Sequence, residues 1–351
     1  MGALRIAVAG VGSFTQRVLI PGLIACPDAV LVAVFGPTRE KTEKIAAERG
    51  IPRAFSAYDQ MLDETKPDAV VIATPNDVHC SMALAAIERG LHVFCEKPLG
   101  LTVEEAERMA GAARAAGVRT AVNFTYRSTN PMRHVHRLIQ EGRVGTPYHF
   151  LISFWQSIKT DPAVPLAYRM LRERGGGALL DVGVHMCDLV RWYFGDIEAV
   201  TGGTFIAIPE RPTENGGRGR VTADDTATFV LRLTSGALGA VQVGQVASGR
   251  QNYRRVELFG SAGAIFMEED RSHGPEVRVA SRGEVGFALD PLPEDLNVSF
   301  DDFPRFHMSR AVAALRGERD DWPTFEDGLK AQRVVNAVDE AQRTGRWVTV
   351  T

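Results

Sequence analysis

Residues 4–124 alternate between two hydrophobic periods, and that alternation limits the possible folds more than any other feature of the chain. LRIAVAG (4–10) is a continuous apolar run, and SFTQRVLIPGLIAC (13–26) follows it with apolar residues at helical spacing. The pairing recurs in VLVAVFG (30–36) with REKTEKIAAERG (39–50), and in AVVIATP (69–75) with DVHCSMALAAIERG (77–90). It recurs again in LHVFCEKP (91–98) with TVEEAERMAGAARAAG (102–117), before a last strand in VRTAVNF (118–124). Short apolar runs read as buried strands, and apolar residues at i, i+3 and i+4 read as helices. Gly50, Gly90 and Gly117 stand where helices close. Strands alternating with helices of this length predict βαβ units in a parallel, doubly wound sheet.

After residue 125 the rhythm changes. A helix over 129–141 precedes a strand-rich stretch, 146–281, which is broken by a helix after Asp181. Strands such as ATFVLRL (227–233) and RRVELFG (254–260) alternate apolar and polar residues, the pattern of an open, mainly antiparallel sheet with one covered face. The expected fold is α/β, with a Rossmann-type dinucleotide-binding domain over 1–125. An α+β domain for substrate binding and oligomerisation follows over 126–351, including a C-terminal helix at 325–345. The sheet face left uncovered predicts a homodimer or homotetramer.

The formal net charge of −3 gives no electrostatic reason to expect nucleic acid or an anionic membrane as partner. Cys26, Cys80, Cys95 and Cys187 are dispersed and form no CxxC pair, which suits a reducing compartment. No apolar stretch is long enough to span a bilayer. The start, MGALRIAVAGVGS, runs directly into a glycine turn and reads as a first strand rather than a signal peptide, so the expected location is cytoplasmic.

Gly10, Gly12, Ser13 and Phe14 lie where a dinucleotide fold needs a tight turn and close approach of backbone to pyrophosphate. Thr15 takes the place of the third glycine or alanine, so the fingerprint is incomplete. The second strand ends on Gly36-Pro37-Thr38-Arg39, without the carboxylate that grips the ribose 2′-hydroxyl of NAD. Thr38, Arg39 and Lys41 could hold a 2′-phosphate, which favours NADP over NAD; the alternative is that Arg39 and Lys41 face solvent on the next helix.

Two further motifs carry chemistry. Glu96-Lys97-Pro98 closes a buried strand, either as a solvated charged cap or as the rim of a cofactor crevice. In GGGALLDVGVHMCDLVRW (175–192), Asp181, His185 and Asp188 stand at i, i+4 and i+7 and share one helical face. They read either as a helix cap with a core histidine or as a proton-transfer set. No further His or Cys cluster completes a metal site, so no metal is expected.

Together these segments resemble the glucose-fructose oxidoreductase / inositol 2-dehydrogenase / rhizopine-catabolism (Gfo/Idh/MocA) family of NAD(P)-dependent oxidoreductases. The likeness rests on AVAGVGSF, ATPNDVHCSMALAAIERG, HVFCEKPLGLTVEEA, GGGALLDVGVHMCDLVRW and a closing GRWV, in that order along nearly the whole chain. The resemblance implies hydride transfer between nicotinamide and a secondary alcohol or ketone of a sugar, cyclitol or related polyhydroxy compound. The alternatives are an NADPH-dependent keto-sugar or other carbonyl reductase and, more remotely, a dinucleotide-binding redox sensor.

Within the family pattern Lys97 stands beside the nicotinamide before a cis Pro98, and Glu96 helps to hold the ribose or the lysine. His185 is then the general acid/base, Lys97 its electrostatic partner and Asp181 an anchor for a substrate hydroxyl, with Asp188 behind them. Thr74, Pro75, Asn76 and His79 resemble the loop that runs past the cofactor. Asn123, Tyr126, Arg127 and Trp155 are expected to contact substrate, with Tyr168-Arg169 and Arg250, Asn252 and Tyr253 as outer candidates.

Overall fold

The computed structural model describes residues 2–319 and 321–350. It divides into two compact units, Met1–Thr125 with Val298–Leu329, and Tyr126–Asn297 with Lys330–Thr351. Residues 298–329 were expected in the second domain and instead pack with the first.

In the first unit the strands are β1 (Leu4–Ala9), β2 (Ala29–Phe35), β3 (Ala54–Phe55), β4 (Ala69–Ile72), β5 (His92–Cys95) and β6 (Thr120–Val122). They form one parallel sheet in the order β3-β2-β1-β4-β5-β6. The connecting helices are α1 (Ile20–Ile24), α2 (Arg39–Arg49), α3 (Tyr58–Thr65), α4 (His79–Glu88) and α5 (Val103–Ala116). All four residues of β4 are buried, as expected of a central strand covered on both faces. Sequence order reverses between β1 and β4, and a doubly wound sheet places its ligand at the carboxyl ends of the strands at that reversal.

The second unit begins with helix α6 (Asn130–Gln140) and contains α7 (Val184–Phe194). Its strands are β7 (Pro147–Trp155), β8 (Ile197–Phe205), β9 (Glu210–Pro212), β10 (Arg218–Arg220), β11 (Thr226–Leu233) and β12 (Leu238–Gly244). They continue with β13 (Tyr253–Gly260), β14 (Gly263–Asp270), β15 (His273–Ser281), β16 (Ala288–Leu289) and β17 (Val348–Thr349). Strands β9 and β10 form a separate ribbon; the others form one nine-stranded sheet, β16-β15-β14-β13-β7-β12-β11-β8-β17. Its pairs are antiparallel except β7–β12. Side chains alternate between faces along each strand. Phe150, Ile152 and Phe154 on β7 are buried, while Leu151, between them, is exposed. Helix α6 packs on β14 and β15.

Beyond the sheet, α8 (Phe303–Arg316) returns to the first unit, and α9 (Phe325–Thr344) follows it. Periodicity alone did not single out α8, although Pro304 at its start, Gly317 at its end, and Met308, Ala311, Val312 and Leu315 on one buried face are ordinary helix signals. It lies so close to α1 that a Cβ on Gly22 would stand 2.2 Å from the Pro304 carbonyl oxygen.

Candidate active site

The sheet edge of the first unit gathers the predicted cofactor residues. Gly10 has φ of +114°, and a Cβ there would lie 2.1 Å from the Ala73 carbonyl oxygen, so the turn after β1 packs backbone to backbone on the end of β4. At Gly12 a Cβ would meet nothing within 4 Å. The pair therefore fits a dinucleotide diphosphate: one glycine closes the turn, and the other keeps its outer side clear. Ser13 is exposed, Phe14 packs partly into the core, and Thr15, in the unorthodox third position, is buried.

Behind β2, Thr38 precedes α2 and is exposed. Arg39, expected to be available for a 2′-phosphate, donates from Nε to Glu43 at 2.8 Å.

Thr74 and Asn76 are partly buried and Pro75 is exposed, in the loop after β4. His79 does not present its ring to that loop's outer side. It is fully buried, with Nδ1 2.9 Å from the Pro98 carbonyl oxygen and Nε2 3.1 Å from that of Thr74. It therefore lies between the carbonyls of Thr74 and Pro98, and Pro98 follows Lys97 through a cis peptide bond. Burial lowers its pKa against the pull of those two carbonyls, and the Lys97 charge adds to the lowering.

Asn123 corrects another expectation. It is fully buried, and its main-chain N–H donates to Cys95 at 2.9 Å. Its Nδ2 donates to Glu96 Oε1 at 2.5 Å, while its Oδ1 accepts from Thr125 Oγ1 at 3.1 Å and stands 2.8 Å from His307 Nε2. Asn123 therefore holds Glu96 from inside the sheet rather than facing a substrate. The end of a parallel strand has an inner and an outer side, and the pattern 118–124 does not say which side residue 123 takes.

In the second unit the glycine run leads into a wide, π-helical turn, Leu179–Gly183, that continues as α7. Asp224 closes its start: Oδ2 accepts from the Leu179 N–H at 2.8 Å. Gly177 has φ of +111°, and a Cβ there would stand 2.2 Å from Asp224 Oδ1, so backbone and space both require glycine. Burial pushes the Asp224 carboxyl up to about 6, against the Leu179 N–H, which favours its charged form.

The residues expected on one face take different partners. Asp181 Oδ2 accepts from Gln245 Nε2 at 2.8 Å, and its Oδ1 is 4.0 Å from Arg169 Nη1. Buried Lys159 is close enough for Asp181 to oppose the lowering of its pKa by burial, and its Nζ donates to the Arg169 carbonyl at 3.2 Å. Asp188 turns elsewhere. Its carboxylate takes both Nε (2.8 Å) and Nη2 (2.5 Å) of Arg127, and both side chains are buried. Arg127, expected to contact substrate, is thus engaged in a bidentate pair inside the unit.

The ring of His185 is 4.6 Å from that of Tyr126. Tyr126 packs against Phe154 at 5.7 Å and beneath the Arg254 guanidinium at 5.1 Å. Burial pushes the Tyr126 phenol up to about 12, with Arg254 pulling it down and Asp181 and Glu269 adding to the rise. Trp155 is one residue beyond Phe154 and therefore faces the other side of the sheet, where it covers Gly244. The outer candidates are held locally: Arg169 Nε on Tyr168 Oη at 3.0 Å, Arg250 on Asp270, Tyr253 on Glu268 and Asn252 by Gln156.

Sequence reasoning missed His307, Gln245, Asp224 and Lys159. The doublet Asp224-Asp225 before a strand was a visible signal, since acidic residues cap helices; the other three are isolated polar residues, and the partners of Gln245 and His307 are 64 and 184 residues away. Among the described residues, no group of three or more His, Cys, Asp or Glu is placed to hold a metal ion, and no helix is long and apolar enough to cross a membrane.

Residues 4–124 match the family model described as oxidoreductase family, NAD-binding Rossmann fold (GFO_IDH_MocA), and residues 132–266 match that of the GFO/IDH/MocA C-terminal domain. The chain is 30% identical to levoglucosan dehydrogenase of Pseudarthrobacter phenanthrenivorans, covering 93% of this chain and 90% of that protein. It is 28% identical to 1,5-anhydro-D-fructose reductase of Ensifer adhaerens, covering 95% of each. Among solved structures, levoglucosan dehydrogenase in complex with NADH is similar with a TM-score of 0.90 at 27% identity, covering 99% of both chains.

Proposed function

The chain belongs to the GFO/IDH/MocA family of oxidoreductases, and from that premise we propose that it oxidises a secondary hydroxyl of a sugar, anhydro-sugar or cyclitol, or reduces the matching ketone, with NAD(H) as cofactor. The observation that carries this reading is Lys97, two residues beyond β5 at the carboxyl edge of a β3-β2-β1-β4-β5-β6 sheet whose glycine turn leaves room for a diphosphate. The dinucleotide, when bound, supplies or accepts the hydride at its nicotinamide ring.

The chain's own residues do the rest. His185 takes the hydroxyl proton in oxidation and returns it in reduction, because imidazole exchanges protons near neutral pH. The Lys97 ammonium stabilises negative charge developing on the reacting oxygen. Asp181, fixed by Gln245, accepts a hydrogen bond from a neighbouring substrate hydroxyl. Tyr126 keeps its proton throughout the working range and can donate to substrate oxygen. Glu96, gripped by Asn123, holds a cofactor ribose.

A second reading of the cofactor has one observation behind it: β2 runs into Gly36-Pro37-Thr38 and not into the carboxylate that would repel a 2′-phosphate, so NADP(H) fits there as well. The family's NAD-binding Rossmann model and the NADH complex of levoglucosan dehydrogenase favour NAD(H). The uncovered sheet face, carrying Leu151 and Leu238, supports a homodimer or homotetramer, and four buried free cysteines support residence in the cytoplasm.

The test is initial-rate turnover with NAD+ and NADP+ across levoglucosan, inositols and common aldoses, and with NADH and NADPH across keto-sugars. Turnover on a cyclic polyol with NAD+ is expected. Tight dinucleotide binding with no turnover anywhere in the panel would replace the enzyme by a redox sensor.

A further inference from the structure

We propose that His307 is a positioning residue for the dinucleotide edge of the first unit, acting through the Asn123 amide on the Glu96 carboxylate. The inference rests on the reading above that Glu96 and Lys97 border the bound dinucleotide.

An asparagine amide has two ends of nearly equal shape and opposite hydrogen-bonding sense, so its neighbours decide which end faces which way. Here Oδ1 is faced by two groups, Thr125 Oγ1 at 3.1 Å and His307 Nε2 at 2.8 Å. With both donating, Nδ2 must point to Glu96 Oε1, 2.5 Å away. Reversed, the amide oxygen would face a carboxylate and the amide nitrogen would face two donors. His307 can serve because it is neutral: burial, with repulsion from Arg310, pulls its pKa down to about 3, and we place its one ring proton on Nε2, which faces Asn123 Oδ1.

Its ring is fixed from both sides, stacked on Phe303 at 5.4 Å and against Trp322 at 5.1 Å. Glu96 also lies at the right place to pass the constraint on, since its Oε2 accepts from the Lys97 main-chain N–H at 3.3 Å. A helix 184 residues away in sequence thus sets the orientation of the acid beside the candidate catalytic lysine.

Three variants test this with NADH affinity by fluorescence titration, steady-state kcat and KM for NAD+, and melting temperature. His307→Leu removes the donor and leaves Asn123 Oδ1 short of one partner; NADH binding should weaken by about tenfold, with KM rising more than kcat falls. His307→Gln retains an N–H that can reach the same oxygen and should stay within about threefold of the unsubstituted protein. Asn123→Asp keeps the shape but sets a carboxylate against Glu96, and should weaken NADH at least as much as His307→Leu.

Equal weakening by the Leu and Gln variants would overturn the proposal, because packing alone would then explain the loss. Unchanged affinity in His307→Leu would also overturn it. Should His307→Leu fail to fold, Asn123→Asp decides: unchanged NADH affinity there refutes the relay. If the unsubstituted protein binds neither NADH nor NADPH, the dinucleotide reading itself falls, a result distinct from any loss confined to the variants.

Discussion

Asp224→Asn isolates the cost of keeping one carboxylate charged at the start of the helix that carries His185. In the folded protein burial raises this carboxyl from 3.8 to about 6. A carboxyl whose folded pKa lies above its unfolded value contributes stability that is present below the unfolded pKa and lost as pH rises through the folded one. At about 1.4 kcal/mol per pH unit, the displacement corresponds to about 3 kcal/mol. Asp224 is 7% exposed, so solvent does little to screen it. Asparagine keeps the volume and an oxygen for the Leu179 N–H, 2.8 Å away, but cannot ionise.

The assay is urea unfolding of both proteins at intervals from pH 4 to pH 8. The stability of the unsubstituted protein relative to Asp224→Asn should fall by about 3 kcal/mol across that range, with most of the fall between pH 4 and 6. A difference that stays constant with pH would refute the reasoning, since Asp224 would then titrate alike in the folded and unfolded chain.

Arg127→Met should destabilise the protein by about 3–5 kcal/mol, read by urea unfolding, because it strips the buried Asp188 of its bidentate partner. The double variant Arg127→Met/Asp188→Leu should recover part of that loss, and no recovery would place the damage elsewhere. Lys97→Ala should lower turnover by about 10²–10³ while NADH affinity stays within a few-fold; equal loss of both would reassign Lys97 to cofactor binding. His185→Ala should remove the ionisation near neutral pH from the pH–rate profile of residual turnover, and an unchanged profile would exclude it from proton transfer.

The sequence by itself determined most of the elements. Apolar period and glycine position were enough for the parallel sheet, because both faces of β4 are covered and each of its four residues is apolar. They were enough for the alternating strands of the second unit too, since one face of that sheet is open. The family motifs picked out Lys97, Asp181 and His185 as the proposed charge-stabilising, anchoring and proton-transfer groups, residue types that this chemistry needs.

Tertiary structure decided direction and partnership. Asn123 and Arg127 are the polar residues a cleft would use, yet each spends its hydrogen bonds inward, on Glu96 and on Asp188. Phe154 rather than Trp155 reaches Tyr126, because strand register selects one neighbour and rejects the next. Asp181 and Asp188, two helical turns apart, take different partners, Gln245 and Arg127, which spacing alone does not name. His307 could not be read at all: its meaning lies in an asparagine 184 residues away, and only folding brings the two within a hydrogen bond.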